Sequence, residues 1–430
     1  MKTHTPRRPW LGFLLIAGLL AISSGCGFAS ATDPLLKNGE SWVTAWTTAP
    51  LAETPGKDTP ALKNATLRQV VRVTAAGRAI RIRIGNYFGK EPLELSGVRL
   101  NQMKSSAKAA AEIVYFGGAK AVSVAPGEAV VSDPVQLPVD AGTDLSVAFH
   151  IAGLPATLTA HPGARATSYV TPGNVLDETN PAAAPLTCTR WYFLCGIDVC
   201  AASTTALAIL GDSITDGYGC PPDSHSRWVD GLARRLQANS VTSRVAVLNL
   251  GIGGNRLLRD GLGPKAVARV ERDVFGQHGV TCLMIFIGIN DIGTRVDARK
   301  KGAPYASADD IIGGLKQIAE EARKRGLKVV GATITPYGGN TGYWSEDGEA
   351  DRQKVNAWIR DSGSFDAVVD FDAVVRDPAQ PDRLAAAFDC GDHLHPSLAG
   401  YARMAEAVDL SVFIPASQEA KSSKTALAAP

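Results

Sequence analysis

The sequence lacks an excess of charge of either sign. It has 44 Lys and Arg against 42 Asp and Glu in 430 residues, which gives a formal net charge of +2. A chain so close to neutrality has no general attraction to nucleic acid or to anionic lipid. We therefore expect no nucleic-acid partner, and any ligand has to be inferred from a local site.

Metal ligands with the usual spacing are also absent. There is no Cys-x-x-Cys pair, and the seven histidines form no cluster with ligand spacing. Zinc sites usually show such spacing in the sequence. We predict no metal site and no cofactor.

A run long enough to span a bilayer comfortably is missing as well, because the apolar run near the N-terminus covers only residues 10–22. Arg7 and Arg8 precede this run, and a small-residue segment ending at Ala31 follows it. This order is typical of an export signal. We predict that residues 1–31 are a signal peptide, and that the mature protein is secreted or periplasmic with no obligatory membrane span.

Two variants of the export signal remain open. Arg7 and Arg8 resemble a twin-arginine signal, and Cys26 resembles a bacterial lipoprotein processing site. Ser23 stands where such a site usually has Leu, Val or Ile. Lipid anchoring through Cys26 is therefore an alternative to free secretion.

Six cysteines follow the predicted cleavage site: Cys188, Cys195, Cys200, Cys220, Cys282 and Cys390. An even number permits disulfides in an oxidising compartment. Cys282 lies in a strongly apolar segment and is predicted to be a buried thiol. Cys220 and Cys390 could be bridged if the polar segments beside them come together.

The first half of the chain has the pattern of β-strands. Its length of 430 residues predicts two domains. Apolar and polar residues alternate in 66–73 and 79–84, and Gly, Pro and Asp turns separate further short candidates. We predict a β-sandwich or jelly-roll-like accessory domain over residues 32–200.

After residue 200 the pattern changes to alternating strands and helices. Strands are predicted at 206–210, 245–250, 283–287, 329–334 and 367–371, and helices at 228–236, 264–275, 308–325, 348–361 and from Pro396. Such alternation indicates an α/β fold with a parallel sheet and helices on both faces. We predict this domain over 201–415 and a disordered tail over 416–430.

Polar segments follow three of these predicted strands. Ser213 lies three residues past the first strand, Gly254 follows the second and Asn290 follows the third. In an open parallel sheet, ligand groups gather beyond the carboxyl ends of the strands. We therefore expect these residues to share one site.

The residue types suit nucleophilic catalysis. A serine hydroxyl needs a base to take its proton, and Asp392 with His395 provides a carboxylate and an imidazole three residues apart. An attacked carbonyl oxygen needs fixed donors, one of which is typically worth ~3–4 kcal/mol of barrier. The Ser213 and Gly254 backbone N–H groups and the Asn290 amide are the candidates.

The segments GDSITDG, GIGGN, GIND and DHLHP resemble the four blocks of the SGNH (GDSL-type) hydrolases, over about residues 206–412. Segments 42–46 and 85–89 are similar to the N-terminal extension of one bacterial branch. The resemblance implies a three-layer, flavodoxin-like α/β/α sandwich. It also implies Ser213 as nucleophile, Gly254 and Asn290 in the oxyanion hole, Asp392 as orienting group and His395 as base.

Some assignments stay open. His393 is a second candidate base. Asp212 and Asp216 could form a carboxylate pair for glycoside cleavage, although hydrogen bonds to backbone N–H groups are the preferred interpretation. The histidines far from these segments are predicted to be surface or packing residues: His150, His161, His225 and His278.

We predict an exported serine esterase that acts on carbohydrate or small esters. Tyr343 and Trp344 could line its pocket. A lipase or lysophospholipase, an acyltransferase and a phosphodiester-cleaving enzyme are alternatives with a similar serine. A glycan-binding surface protein with an inactive hydrolase domain is the alternative of another class.

Overall fold

The structure, a computed structural model, describes Met1 and residues 35–103, 111–178 and 184–414. Apart from Met1, the predicted signal peptide lies outside the described residues, as do Cys26 and the predicted tail. No helix of the described ranges is long and apolar enough to cross a membrane. The chain divides into two compact units, Met1–Lys37 and Asn38–Pro430. The predicted boundary at residue 200 falls inside the second unit, described below.

The first part of this unit is built from antiparallel strands. They are β1 (Glu40–Thr47), β2 (Leu51–Glu53), β3 (Ala65–Arg72), β4 (Ile80–Gly85), β5 (Leu93–Gln102), β6 (Glu112–Val114), β7 (Val122–Val124), β8 (Ala129–Val131), β9 (Asp144–Gly153), β10 (Leu158–His161), β11 (Ser168–Pro172), β12 (Leu186–Cys188), β13 (Trp191–Tyr192) and β14 (Leu194–Ala202). They form three sheets in the orders β1-β14-β4-β8, β13-β10-β2 and β12-β11-β3-β9-β5-β6, with β7 paired to β5.

One apolar cluster joins these sheets. Alternation in β4 buries Ile82 and Ile84, which belong to the same cluster as Leu67 of β3 and Phe149 of β9. An antiparallel sheet that packs one face on another sheet hides every second side chain in this way. The predicted β-rich N-terminal region is confirmed.

The second part contains a five-stranded parallel sheet. Its strands are β15 (Thr205–Gly211), β16 (Val245–Gly251), β17 (Val280–Phe286), β18 (Lys328–Ala332) and β19 (Ala367–Val369), in the order β16-β15-β17-β18-β19. The helices are α1 (Ser213–Asp216), α2 (Trp228–Ala238), α3 (Ala266–Val270), α4 (Ile289–Gly293), α5 (Arg295–Lys300), α6 (Ala308–Lys324), α7 (Glu346–Asp361), α8 (Phe371–Val375) and α9 (Leu398–Ala407). A π-helical turn (Glu271–Phe275) continues α3, and a 3-10 turn (Leu410–Phe413) follows α9.

Helices cover both faces of this sheet. Successive side chains of β15 point to opposite faces. Leu207 and Ile209 pack in the cluster that contains Trp228 of α2 and Tyr401 of α9. Leu210 packs in the other cluster, which holds residues of α3, α6 and α7. The predicted α/β architecture is confirmed.

Several predicted element bounds differ from the structure, and two of these differences follow from helix caps. The last helix begins at Leu398, because Ser397 caps it by accepting a hydrogen bond from the Gly400 N–H at 3.2 Å. Pro396 instead forms an isolated bridge with Asp389. The fifth strand ends at Val369, because Asp370 caps α8, which Phe371 begins.

All six described cysteines are free thiols, so the described residues contain no disulfide. Cys282 is buried, as predicted. The possible Cys220–Cys390 bridge is not formed. Cys220 is buried in the apolar cluster that contains Trp228 of α2, whereas Cys390 is exposed in the loop before α9.

Candidate active site

Ser213 stands just past the carboxyl end of β15, the second strand of the five-stranded parallel sheet. The carboxylate of Asp212 caps α1 by accepting a hydrogen bond from the Ile214 N–H at 3.0 Å. Ser213 is therefore the first residue of α1, and its own N–H has no acceptor within the helix. The residue is 6% exposed and lines a pocket at this end of the sheet.

His395 and Asp392 complete a chain of hydrogen bonds from Ser213. The His395 Nε2 atom lies 2.8 Å from Ser213 Oγ, and His395 Nδ1 lies 2.6 Å from Asp392 Oδ2. Backbone N–H groups of Leu394 and His395 donate to Asp392 Oδ1 at 2.9 and 2.8 Å. The loop before α9 therefore fixes the carboxylate and, through it, the imidazole ring.

The pKa values of this pair favour a neutral ring beside a carboxylate. Burial lowers the pKa of His395, although the Asp392 carboxylate partly offsets this, and the Arg165 guanidinium adds to the lowering. Burial alone would raise the pKa of Asp392, but its hydrogen bonds with His395 lower it below the ordinary value. A neutral ring that donates from Nδ1 can accept a proton at Nε2.

Asn290 lies on another side of the pocket, at the start of α4. Its Nδ2 atom donates to the Asn255 carbonyl at 2.9 Å, and its Oδ1 atom accepts from Tyr343 Oη at 3.0 Å. These contacts fix the amide plane and leave the second N–H of Nδ2 available. Tyr343 lines the pocket as predicted, whereas Trp344 is 40% exposed.

Gly254 lies in the same pocket, in the loop after β16. Its φ of +68° is left-handed, and a Cβ there would lie 2.5 Å from Leu262 Cδ1. The loop is held by Asp291, whose carboxylate accepts hydrogen bonds from the Leu257 and Leu258 N–H groups. Burial raises the pKa of Asp291 to about 6.

The β-rich region supplies a wall of the pocket. This wall consists of Leu51, His161, Pro162, Gly163 and Arg165. His161 Nε2 lies 2.9 Å from Asp216 Oδ1 in α1, and His161 Nδ1 lies 2.9 Å from the Ala49 carbonyl. A Cβ on Gly163 would overlap the Asp216 carboxylate, so glycine permits this close approach.

The two aspartates beside the nucleophile differ in their contacts. Asp212 bonds to a backbone N–H as predicted, and burial raises its pKa to about 7. The same prediction for the Asp216 side chain is wrong, because it pairs with the His161 imidazole. His161 is buried against Trp191, as expected of a packing residue, and it also lines the pocket beside Asp216.

Among the described residues, no hydrogen bond joins His393 to Ser213. It is exposed, with a φ of +61°, and its Nδ1 atom lies 2.6 Å from Asp389 Oδ2. The structure thus brings His395, and not His393, to the serine. Oxygen and sulfur atoms of Asp389, Cys390 and Asp392 lie within 4.8 Å of one another. Both carboxylates already have histidine partners, so this cluster offers a cation little free charge.

Sequence reasoning missed Arg165 and Tyr218. The Tyr218 ring stacks on His395 with centroids 4.0 Å apart, and Arg165 Cζ lies 5.7 Å from the Tyr218 centroid. Tyr218 directly follows the GDSITDG segment, so its place in the chain was a usable signal. No local signal marks Arg165, which lies in a turn of the β-rich region.

Comparison with known proteins identifies the family. The GDSL-like lipase/acylhydrolase family model matches residues 209–403. No curated protein matches the chain.

Several solved structures are similar to the chain. One is a GDSL-like lipase from Bacteroides thetaiotaomicron (18% identity, 48% of this chain and 87% of that chain covered, TM-score 0.36). Another is LAE5, an alpha/beta hydrolase from the metagenome of Lake Arreo (22% identity, 50% and 96% covered, TM-score 0.39). A third is a variant of an acetyl xylan esterase from Geobacillus stearothermophilus (23% identity, 49% and 95% covered, TM-score 0.38). The C-terminal half of the chain belongs to the GDSL (SGNH) lipase/acylhydrolase family, and a β-rich region precedes it.

Proposed function

We propose that this chain is a serine esterase that hydrolyses carboxylic esters through an acyl-enzyme intermediate. The observation that carries the proposal is the chain of hydrogen bonds from Ser213 Oγ to His395 and on to Asp392, at 2.8 and 2.6 Å. Ionised Asp392 only accepts hydrogen bonds, so the proton of the neutral ring resides on Nδ1. His395 Nε2 is then free to take the Ser213 proton.

The first half-reaction forms a bond from Ser213 Oγ to the carbonyl carbon of the ester. The Ser213 proton passes to His395 Nε2, and Asp392 stabilises the resulting imidazolium. The protonated ring then gives this proton to the departing alcohol oxygen. The acyl group stays on Ser213 Oγ.

The negative charge on the attacked oxygen needs donors that are fixed in advance. We assign this role to the Ser213 N–H at the start of α1, the Gly254 N–H and the free N–H of Asn290 Nδ2. The Asn290 amide is held by Asn255 and Tyr343. Such pre-organised donors lower the barrier by roughly 3–4 kcal/mol each.

The second half-reaction uses water. His395 Nε2 accepts a proton from water as its oxygen attacks the acyl carbon, and Ser213 then leaves with that proton. The products are the free acid and regenerated enzyme. An alcohol in place of water would give acyl transfer through the same groups.

We further propose carbohydrate or small esters as the substrates. The pocket has a mixed wall, with apolar Leu51, Ile252 and Leu262 beside polar Tyr343 and Arg165. Leu51 and Arg165 come from the β-rich region, which supports a catalytic part for this region over a separate glycan-binding module. Export of the protein, free or anchored through Cys26, remains a proposal from the N-terminal sequence.

The test compares Ser213→Ala with a serine control in hydrolysis of a chromogenic short-chain ester. Ser213→Ala should lower turnover by at least about a thousandfold, because no other hydroxyl contacts His395 Nε2 in the described residues. Ser240→Ala is the control, because Ser240 is exposed outside the pocket. Wild-type turnover in folded Ser213→Ala protein would contradict the proposed function.

A further inference from the structure

Arg165 is an arginine of the β-rich region that projects into the pocket of the hydrolase. Its side chain lines the pocket together with Ser213 and His395. Its Cζ lies 5.7 Å from the centroid of Tyr218, and that ring stacks on His395. The guanidinium therefore lies next to a ring that packs on the proposed base.

Apart from its contact with the Tyr218 ring, the guanidinium has no partner among the described residues. No carboxylate of those residues forms an ion pair with it, and its Nε atom is buried without a hydrogen bond. Buried polar groups in proteins are nearly always hydrogen-bonded, so an unpaired buried N–H group is unusual. A ligand that occupies the pocket would supply the missing acceptor.

The described pocket wall contains one carboxylate, that of Asp216. It already faces His161 Nε2 at 2.9 Å and forms no ion pair with Arg165. The remaining wall is apolar or neutral, with Leu51, Ile252 and Leu262 among its members. Desolvation by such a wall strengthens the attraction of a guanidinium for an anion.

The loop holds Arg165 in a conformation that most residues avoid. Its φ is +47°, in the left-handed region. The Asp223 N–H donates to the Arg165 carbonyl at 2.9 Å, and the Asp223 carboxylate accepts from the Thr167 N–H at 2.7 Å. Arg227 Nη2 donates to the Ala164 carbonyl. Backbone strain that neighbouring contacts maintain is typical of functional positions.

We infer that Arg165 is a substrate-recognition residue that binds a carboxylate on the ester substrate. The inference rests on the proposed esterase function and narrows its substrate class to esters that carry a negative charge. A planar guanidinium presents paired N–H donors that match the two oxygens of a carboxylate. The β-rich region thus contributes specificity, while Ser213, His395 and Asp392 perform the reaction.

The carboxylate could belong to the alcohol or to the acyl part of the ester, and matched substrates separate the two. The first pair is para-acetoxybenzoate and its methyl ester, which differ in charge on the alcohol side. The second pair is the para-nitrophenyl monoester of succinate and its methyl ester, which differ on the acyl side. The ratio of kcat/KM for the charged and neutral members is the quantity of interest.

Three variants test the ratio: Arg165→Gln removes the charge, Arg165→Lys keeps it, and Arg403→Gln is the control. Arg403 is exposed on α9 and pairs with Glu406, outside the pocket. Assays run on the plateau above the acid limb of His395. We expect the wild-type protein to favour the charged member of one pair, and Arg165→Gln to lower that ratio roughly 10–100-fold, mainly through KM. Arg165→Lys should lose less, and Arg403→Gln should leave the ratio unchanged.

Equal losses on both members of each pair in Arg165→Gln would overturn the inference, because a merely structural role would produce them. So would a wild-type protein that turns over the neutral esters and prefers neither charged ester. Absence of Ser213-dependent turnover with all four esters would instead overturn the proposed function itself.

Discussion

His395 is the residue on which the proposed chemistry depends most. It touches Ser213 Oγ, Asp392 and the Tyr218 ring, and it is 8% exposed. His393, two residues earlier, shows the same kind of carboxylate pairing with Asp389 but faces solvent. Pairing with a carboxylate is therefore not enough to make a base, since access to the nucleophile decides which histidine can act.

This difference predicts a specific acid limb in the pH profile. Burial lowers the pKa of His395 from its ordinary value of 6.5. The neutral ring is the active form, so kcat/KM should be at its plateau above this pKa. It should fall as the pH drops through the pKa, and the midpoint of the acid limb should lie below pH 6.5. Initial rates from pH 4 to pH 9, at roughly half-unit spacing, measure it.

Two histidine variants complete that prediction. His393→Ala should keep the acid limb and most of the activity, because His393 contacts Asp389 and not Ser213. His395→Ala should abolish turnover at every pH. A surviving acid limb in His395→Ala would assign the base to another group.

At the level of elements, short loops after parallel strands hold the site. The β15–α1 loop presents Ser213, the loop after β16 presents Gly254, and the β17–α4 turn presents Asn290. The order of the strands places β16 and β17 on either side of β15. Three loops separated in sequence therefore meet at one edge of the sheet.

Gly254 allows a test of one such loop. Gly254→Ala should cost about 1–2 kcal/mol of stability for its left-handed φ and should lower kcat/KM at least roughly tenfold, because the new Cβ displaces Leu262 at the pocket. Gly302→Ala is the matched control, since Gly302 has a φ of +61° and no atom within 4 Å of the added Cβ. Chemical denaturation and ester kinetics give the two quantities.

The control should lose similar stability and keep its activity. Full activity in Gly254→Ala would contradict the predicted displacement of Leu262 at the pocket.

Much at this scale was predictable from sequence. Apolar runs predicted the five parallel strands. The position of Ser213, Gly254 and Asn290 just after three of these strands indicated that they belong to the site. The spacing of Asp392 and His395 anticipated their hydrogen bond. Element ends were less predictable, because the caps at Ser397 and Asp370 decide them through side-chain contacts that periodicity does not show.

At the scale of the whole molecule, the β-rich region and the parallel sheet share contacts that no local pattern reveals. His161 of β10 reaches Asp216 of α1 across 55 residues of sequence. Ala206, Ala246 and Leu248 of the parallel sheet belong to the same apolar cluster as the antiparallel sheets. Sequence patterns report local structure, so the wall formed by His161 and Arg165 could not be foreseen.

Asp198 of β14 anchors a second contact between the two parts. Thr44 Oγ1 donates to Asp198 at 2.8 Å, and His278, in the loop before β17, lies 2.9 Å away. Burial alone would raise the pKa of Asp198, but the hydrogen bond from His278 and the Arg83 guanidinium outweigh it and lower the pKa to about 2. The charged carboxylate is therefore favoured by the folded state.

The lowered pKa predicts a loss of stability in acid. Above about pH 4 the charged Asp198 carboxylate should add about 2–3 kcal/mol to the free energy of unfolding. This contribution should disappear as the pH falls towards 2. Urea denaturation of the wild-type protein and Asp198→Asn across this range measures it. Asp177→Asn is the control, because the Asp177 side chain is 79% exposed in its pair with Arg99. Parallel pH curves for the wild-type protein and Asp198→Asn would contradict this account.

The proposed chemistry depends above all on Ser213 being a nucleophile that His395 activates. The most direct measurement is peptide mass spectrometry after treatment of the folded protein with a serine-directed fluorophosphonate. We expect one adduct, on the peptide that contains Ser213. It should disappear in Ser213→Ala and form much more slowly in His395→Ala. No adduct on folded wild-type protein, or an adduct on another serine that persists in Ser213→Ala, would contradict it.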